Sequence, residues 1–187
     1  MTTIIRPATS ADIQAAAQTL AAAFDTYPWT RWSIPEDGYA ARLERLQAVY
    51  LEHAIAHGIV LVSDDLAGVA AMLPPRSPEP AAELQAEVAD LMGDRLGVVF
   101  GAELPERQEE SWDFATVGVR PDGAGSGLGS LLIAESLARA AASAFPRVSL
   151  ETSSERNVRL YERHGFAVSH RTEIADGPVV FTMAVEL

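Results

Sequence analysis

Apolar and polar positions change their spacing several times along the chain, and each change marks a predicted element. "IIRPAT", residues 4–9, reads as a short opening strand. Ser10 is the expected N-cap of a helix over "ADIQAAAQTLAAAF", which sets Ile13, Leu20 and Phe24 on its apolar side. "DTYPWTRWSIPEDG" is aromatic and broken by prolines, so a loop is predicted there. A second helix, roughly Tyr39 to His57, puts Leu43, Leu46 and Tyr50 on one face and ends at Gly58. "IVLVSDDLAGVAAML" predicts a hairpin, two apolar runs joined through Asp64-Asp65, and the prolines of "PPRSPEP" end it. A helical insert follows from about Ala81 to Val99, weakening around Gly93 and Gly97. "SWDFATVGV" is a strand with little polar relief, which suits a buried sheet position. "LGSLLIAESLARAAASA" is an amphipathic helix, "RVSLET" a strand, and "ERNVRLYERHG" a short helix closed by Gly165. "FAVSHRTEI" and "PVVFTMAVEL" make a closing pair of strands around Asp176-Gly177.

The predicted order is β α α β β α β α β α β β, an alternation that implies an α/β sandwich with a mixed sheet. There is no internal repeat and no low-complexity linker, and 187 residues suit one domain over residues 1–187. A hydrophobic fraction of 48% with 21% charged residues is ordinary for a soluble globular protein. No run of about 18 apolar residues is present to span a membrane. "MTTIIRPATSADIQ" lacks the basic-then-apolar layout of a signal peptide, so a cytoplasmic location is expected.

Charge narrows the chemistry. Net charge is −12, all 14 basic residues are arginine, and cysteine is absent. Disulfides, thiolate metal sites, a cysteine nucleophile, a Schiff-base lysine and a lysine base are thereby excluded. So acidic a chain is a poor non-specific binder of nucleic acid. His53 and His57 stand at i, i+4, but no third ligand and no His-Glu-x-x-His motif accompanies them, so no metal is expected.

The most distinctive stretch is "VRPDGAGSGLGSLL", with glycine at every second position from Gly123 to Gly129 just before an apolar run. A nucleotide-triphosphate loop would need Gly-Lys-Ser/Thr, and the chain has no lysine. A dinucleotide fingerprint fails at its third glycine, which would be Ser130 or Leu128 depending on the start. The remaining reading is an amide cradle. Gly125, Ser126, Gly127, Leu128, Gly129 and Ser130 can present backbone N–H groups at a helix start, where the dipole also favours a pyrophosphate.

"ATVGVRPDGAGSGLGSLL" resembles the acetyl-CoA motif of the GNAT superfamily of N-acetyltransferases, and "LETSSERNVRLYERHGF" resembles its second cofactor segment. Within it the similarity runs to the puromycin N-acetyltransferase group, through "TLAAAFDTYP", "ATVGV", "GLGS", "LETS", "YERHGF" and "GPVVFTM". The resemblance implies a mostly antiparallel central sheet, splayed at the cofactor site, flanked by helices and carrying the insert near 81–100. It implies acetyl transfer from acetyl-CoA, as co-substrate, to the amine of a small molecule, an aminonucleoside antibiotic-like compound included, and with that a role in antibiotic resistance. Acetylation of a protein or peptide amine, or a non-catalytic acyl-CoA sensor, stays open, and so does a homodimer. One departure is Ala124, where the motif has Gln or Arg.

By the same resemblance, backbone groups of Val117, Gly118 and Val119 face pantetheine and the thioester, with Gly118 allowing close approach. Tyr161 stands where the superfamily commonly protonates the departing thiolate, and a phenol with a pKa near ~10 can do so. Glu151 aligns with a glutamate used as base, and Asp113 is its rival. Ser154 and Asn157 are expected at pantetheine, with helix capping as the competing role for Ser154. His164 could line the site. Tyr27, Trp29 and Trp32, with Trp112, are expected to bind an apolar or aromatic amine, unless they pack the first helices together.

Overall fold

The computed structural model describes residues 3–106 and 110–187. These form seven strands and seven α-helices. In chain order they are β1 (Ile5–Pro7), α1 (Ile13–Phe24), α2 (Pro28–Ser33), α3 (Tyr39–His57), β2 (Ile59–Ser63), β3 (Gly68–Leu73), α4 (Ala82–Met92) and α5 (Arg95–Phe100). There follow β4 (Trp112–Val119), α6 (Leu128–Ala141), β5 (Arg147–Thr152), α7 (Glu155–Glu162), β6 (Ala167–Glu173) and β7 (Val179–Glu186). One sheet runs β1-β2-β3-β4-β5-β7-β6. Every neighbouring pair in it is antiparallel except β4–β5.

Alternation within the central strands builds two cores. Val60, Val62, Val69 and Ala71 face Ala16, Ala17, Leu20, Ala48 and Leu51 of α1 and α3. The intervening Leu61, Ala70 and Met72 face the other way and join Leu128, Leu132 and Ile133 of α6. A strand buried on both faces must be apolar on both, which is why "IVLVS" and "GVAAML" show little polar relief. Gly68 belongs to this packing: a Cβ there would stand 2.8 Å from methyls of Leu128 and Leu132. A third cluster joins Leu43 and Leu46 of α3 to Ile34 and Met92.

Four sequence expectations need correction. The first helix is preceded by a 3-10 turn, Ser10–Asp12, so Ser10 lies inside it. Asp12 reaches back instead, accepting the Thr9 N–H at 2.8 Å and the Arg6 guanidinium at 2.8 and 2.9 Å. The segment expected as a loop contains α2, because Pro28 occupies its first turn, where a missing N–H costs nothing. Tyr50 is 48% exposed although it shares a face with Leu43 and Leu46. Helix α4 runs antiparallel over α3, Arg42 against Asp90 and Leu91 and Arg45 against Glu87, and it begins at Ala82. Its cover therefore gives out at the level of Tyr50. The insert is two helices, divided at Gly93, where φ is +53°.

Candidate active site

The glycine stretch after β4 is a tight, open turn. Gly125 and Gly127 have φ of +83° and +87°, a conformation L side chains rarely adopt, and nothing lies within 4 Å of a Cβ built at either. Ser126 holds the turn, donating its hydroxyl to the Gly123 carbonyl at 2.7 Å and accepting the Leu128 N–H at 3.4 Å. Leu128 turns its side chain into the core. Among the described residues no partner takes the N–H groups of Gly125, Gly127, Gly129 and Ser130. Four donors at the positive end of a 14-residue helix make an anion cradle of backbone alone. Ala124 adds no polar group, and Arg120 is paired with Asp122 at 3.1 Å.

Beside the cradle the sheet opens. β4 and β5 pair only at Trp112–Val148 and Asp113–Ser149, then part, so β4 from Phe114 onward has no β5 partner. The β3–β4 register shifts between Ala71 and Leu73, opposite the start of this opening. Arg120 N bonds Ala67 O at 2.8 Å, and in an antiparallel ladder alternate residues bond to the same neighbour. Gly118 consequently turns its amide toward β3, while Val117 and Val119 turn theirs toward the gap. This corrects the expectation for Gly118 in a second respect. A Cβ there would stand 2.8 Å from Leu20 Cδ2 and 3.1 Å from Ala23 Cβ, so its bare Cα seats α1 on the sheet.

Tyr161, on α7, is buried between Phe114 and Phe166, with ring centroids at 6.3 and 5.6 Å in edge-on contact. Burial first, and the nearby Tyr27 phenol second, push its pKa above the ordinary tyrosine value and keep it protonated. Tyr27 itself crosses to the end of β5: its hydroxyl accepts the Ser153 N–H at 2.6 Å and lies 2.8 Å from Thr152 Oγ1. Trp29 N donates to Ser153 Oγ at 3.1 Å, and the Trp29 and Trp32 rings meet at a 55° tilt with centroids 5.2 Å apart. Trp32 packs at the β6–β7 turn, where a Cβ on Gly177 would come within 2.9 Å of its ring. Tyr27 and Trp29 thus gather at the end of β5, with Trp32 at the neighbouring β6–β7 turn. Trp112 does not join them. It is buried at the opposite end of β4, its indole N–H donated to Ser143 Oγ at 3.0 Å.

A cavity of about 80 Å³ lies over β5, β7 and β6 and reaches β4 at Asp113, lined also by Ser149, Glu151, His170, Thr182 and Glu106 among others. Asp113 and Glu151, alternatives in the sequence, therefore share one cavity. Thr182 Oγ1, in the same lining, is buried with no hydrogen-bond partner among the described residues. Sequence reasoning did not single out Thr182, although its alternation with Phe181 and buried Met183 places it on the opposite sheet face. It also missed Thr152 and Ser153 as anchors for the aromatic segment. Ser154 stands at the N-cap of α7, yet its hydroxyl makes no capping bond, and Asn157 is half-buried one turn before Tyr161. His164 Nε2 lies 3.1 Å from Ser130 Oγ in the cradle. The His53 and His57 rings lie 4.7 Å apart at a 46° tilt, and no group of three or more metal-ligating side chains occurs among the described residues.

Residues 85–168 match the family model of the acetyltransferase (GNAT) domain. With the structural neighbours, this match marks the chain as an acyltransferase. The Corynebacterium glutamicum protein named histone acetyltransferase HPA2 and related acetyltransferase superposes with a TM-score of 0.78 at 26% identity, covering 100% of this chain and 98% of that one. A phosphinothricin acetyltransferase from Sinorhizobium meliloti, solved with acetyl-CoA, gives 0.65 at 14% identity, covering 100% and 89%. The yncA protein of Salmonella typhimurium, solved with its cofactor acetyl-CoA, gives 0.60 at 18%, covering 100% and 95%. The last two likenesses speak for the fold: a mostly antiparallel acetyltransferase sheet with helices on both faces. Among the described residues, no helix is long and apolar enough to cross a membrane.

Proposed function

We propose that this acyltransferase moves an acetyl group from acetyl-CoA to the amine of a small molecule. The observation that carries the reading is an amide cradle beside a strand gap against which a protonated Tyr161 is buried. The acetyl-CoA held by two proteins of this fold supports the same donor here.

Acetyl-CoA supplies the activated thioester. The amides of Gly125, Gly127, Gly129 and Ser130 hold its pyrophosphate, and those of Val117 and Val119 hold the arm along the gap. One gap-facing N–H stabilises the negative charge that develops on the carbonyl oxygen as the amine attacks. Ser154 and Asn157 approach the same arm from α7. As the carbon–nitrogen bond forms and the carbon–sulfur bond breaks, Tyr161 gives its proton to the departing sulfur and regains one from solvent once the thiol has left. Glu151 or Asp113 takes the proton that the amine must lose. A carboxylate near pKa ~4 cannot strip an ammonium near ~10, so the amine attacks in its neutral form, and the proton its nitrogen sheds on attack passes through the carboxylate to solvent.

The small cavity and its carboxylates suit a compact amine, and the Trp29–Trp32 pair beyond the end of β5 offers a surface for an apolar or aromatic body. Aminonucleoside-like compounds, as for the puromycin N-acetyltransferase group, are the first to try. A second reading, acetylation of a basic peptide or protein amine, draws on the net charge of −12 and on the name of the Corynebacterium relative. The deciding experiment is a thiol-release assay with acetyl-CoA against amines, aminonucleosides, polyamines and basic peptides. The chain has no cysteine to add background. Tyr161→Phe is expected to lower turnover at least ~10-fold with CoA affinity unchanged, the range expected of a general acid. Unchanged turnover would remove Tyr161 from this role. Binding of CoA without release on any amine would support an acyl-CoA sensor instead.

A further inference from the structure

Among the described residues, one side-chain hydrogen bond joins the turn after α7 to the start of α6: His164 Nε2 lies 3.1 Å from Ser130 Oγ. Ser130 is the third residue of α6, and its N–H is one of the four unpartnered donors of the cradle. A pyrophosphate arriving there meets no cationic side chain in the turn itself, because Ala124 is apolar and the chain contains no lysine. His164 is thus a titratable group one hydrogen bond away from the cradle. Its backbone N–H is fixed to the Tyr161 carbonyl at 2.8 Å, so the ring is held by the helix that carries the proposed acid.

We propose that His164 is a positioning residue for Ser130 and makes the cradle's grip on pyrophosphate proton-linked. This rests on the acetyl-CoA reading above. When His164 Nε2–H donates to Ser130 Oγ, the serine hydroxyl is left to donate to a phosphate oxygen. In the opposite tautomer the serine proton is spent on the ring, and a lone pair faces the anion. A bound pyrophosphate selects the first arrangement. Uptake of a second ring proton at Nδ1 locks it, because the imidazolium can only donate. Burial, and then Arg163 beside it, lower the pKa of His164 in the unliganded chain. Arg163 is the charged group that acts on the ring, and from α6 the uncharged Ser130 faces it. An anion in the cradle opposes both effects, so binding draws a proton onto His164.

The test is calorimetric titration of the full chain with dephospho-CoA at about pH 6 and about pH 8. This probe keeps the pyrophosphate and lacks the phosphomonoester, which would itself titrate near pH ~6. The unmodified protein is expected to bind ~5-fold more tightly at the lower pH. His164→Gln retains an N–H donor without a titrating ring, and it should keep the affinity seen at about pH 8 and lose the pH dependence. His164→Ala and Ser130→Ala should weaken binding ~3- to 10-fold and flatten the profile. An unaltered pH slope in His164→Gln, or equal weakening of the Gln and Ala variants at both pH values, would overturn the proposal. Absence of dephospho-CoA binding to the unmodified protein at either pH would overturn the acetyl-CoA reading beneath it.

Discussion

Replacing Gly118 with alanine separates two uses of a bare Cα, packing under a helix and approach of a ligand. The added Cβ would stand 2.8 Å from Leu20 Cδ2, 3.1 Å from Ala23 Cβ and 3.5 Å from Phe24 Cε2. Carbon atoms in good contact sit ~3.5–4.0 Å apart, so two of the three are too close. Leu20 is fully buried, and the Ala23 methyl has no torsion by which to retreat. Overpacking of this kind costs ~1–3 kcal/mol, offset by ~0.4–1 kcal/mol because alanine restricts the unfolded chain. A net loss of ~1–2 kcal/mol follows, or ~2–8 °C in Tm for a chain of this length. Urea unfolding followed by circular dichroism measures it, with CoA titration alongside. Leu20→Val draws the clashing methyl back, so the double variant should be more stable than the sum of the single changes by at least ~0.5 kcal/mol. Gly118→Ala with an unchanged urea midpoint and weakened CoA binding would refute the packing account and put the ligand against the Cα.

Tyr27→Phe removes the hydroxyl that meets Thr152 and the Ser153 N–H, and a loss of ~1–2 kcal/mol is expected by urea unfolding. No loss would mean that water replaces the bond. Gly127→Ala keeps open space around the new methyl but must hold φ at +87°, so ~1–2 kcal/mol of strain should appear. Gly127→Asn should cost less, and equal stability of both variants to the unmodified protein would show that the turn relaxes. Asp12 is held well below the usual carboxylate range, first by the Arg6 hydrogen bonds and then by Thr9. Its folded pKa is depressed, so its contribution is present above the unfolded value near ~4 and is lost as pH falls toward the folded one. Asp12→Asn should therefore unfold at lower urea than the unmodified protein at neutral pH, with the gap closing in acid. A gap that is constant down to about pH 2 would contradict this.

Much of the fold was legible because burial leaves a period in the sequence. Helix α3 is read from Tyr39 to His57 directly, and the strands are recovered to within a few residues, since Val, Ile and Leu recur where one or both faces are covered. Helix α2 was hidden because a proline signals a break equally well before a helix and inside one. The open glycine turn was legible for the opposite reason, since alternating glycines before an apolar helix mark a tight turn of positive φ. Facing was the harder quantity. Trp112 and Trp32 are both tryptophans beside polar residues, yet one is buried with its indole on Ser143 and the other packs at the β6–β7 turn. Nothing local distinguishes them, because their neighbours come from segments 31 and 145 residues away in the chain. Gly118 misled in the same way: its missing side chain answers to Leu20, which sequence adjacency does not reveal.

The anchoring of the aromatic segment on β5 also has a history in time. Tyr27 meets Thr152 across 125 residues of sequence. At a synthesis rate of ~5–20 residues per second, the aromatic segment leaves the ribosome ~6–25 s before its anchor does. Throughout that interval Tyr27, Trp29 and Trp32 have no β5 end to bind, and each is a sticky ring on an unfinished chain. A nascent chain arrested within α6 would carry the glycine turn already made and the aromatic segment still unanchored. It is there, between residues 128 and 152, that this protein should depend most on chaperones.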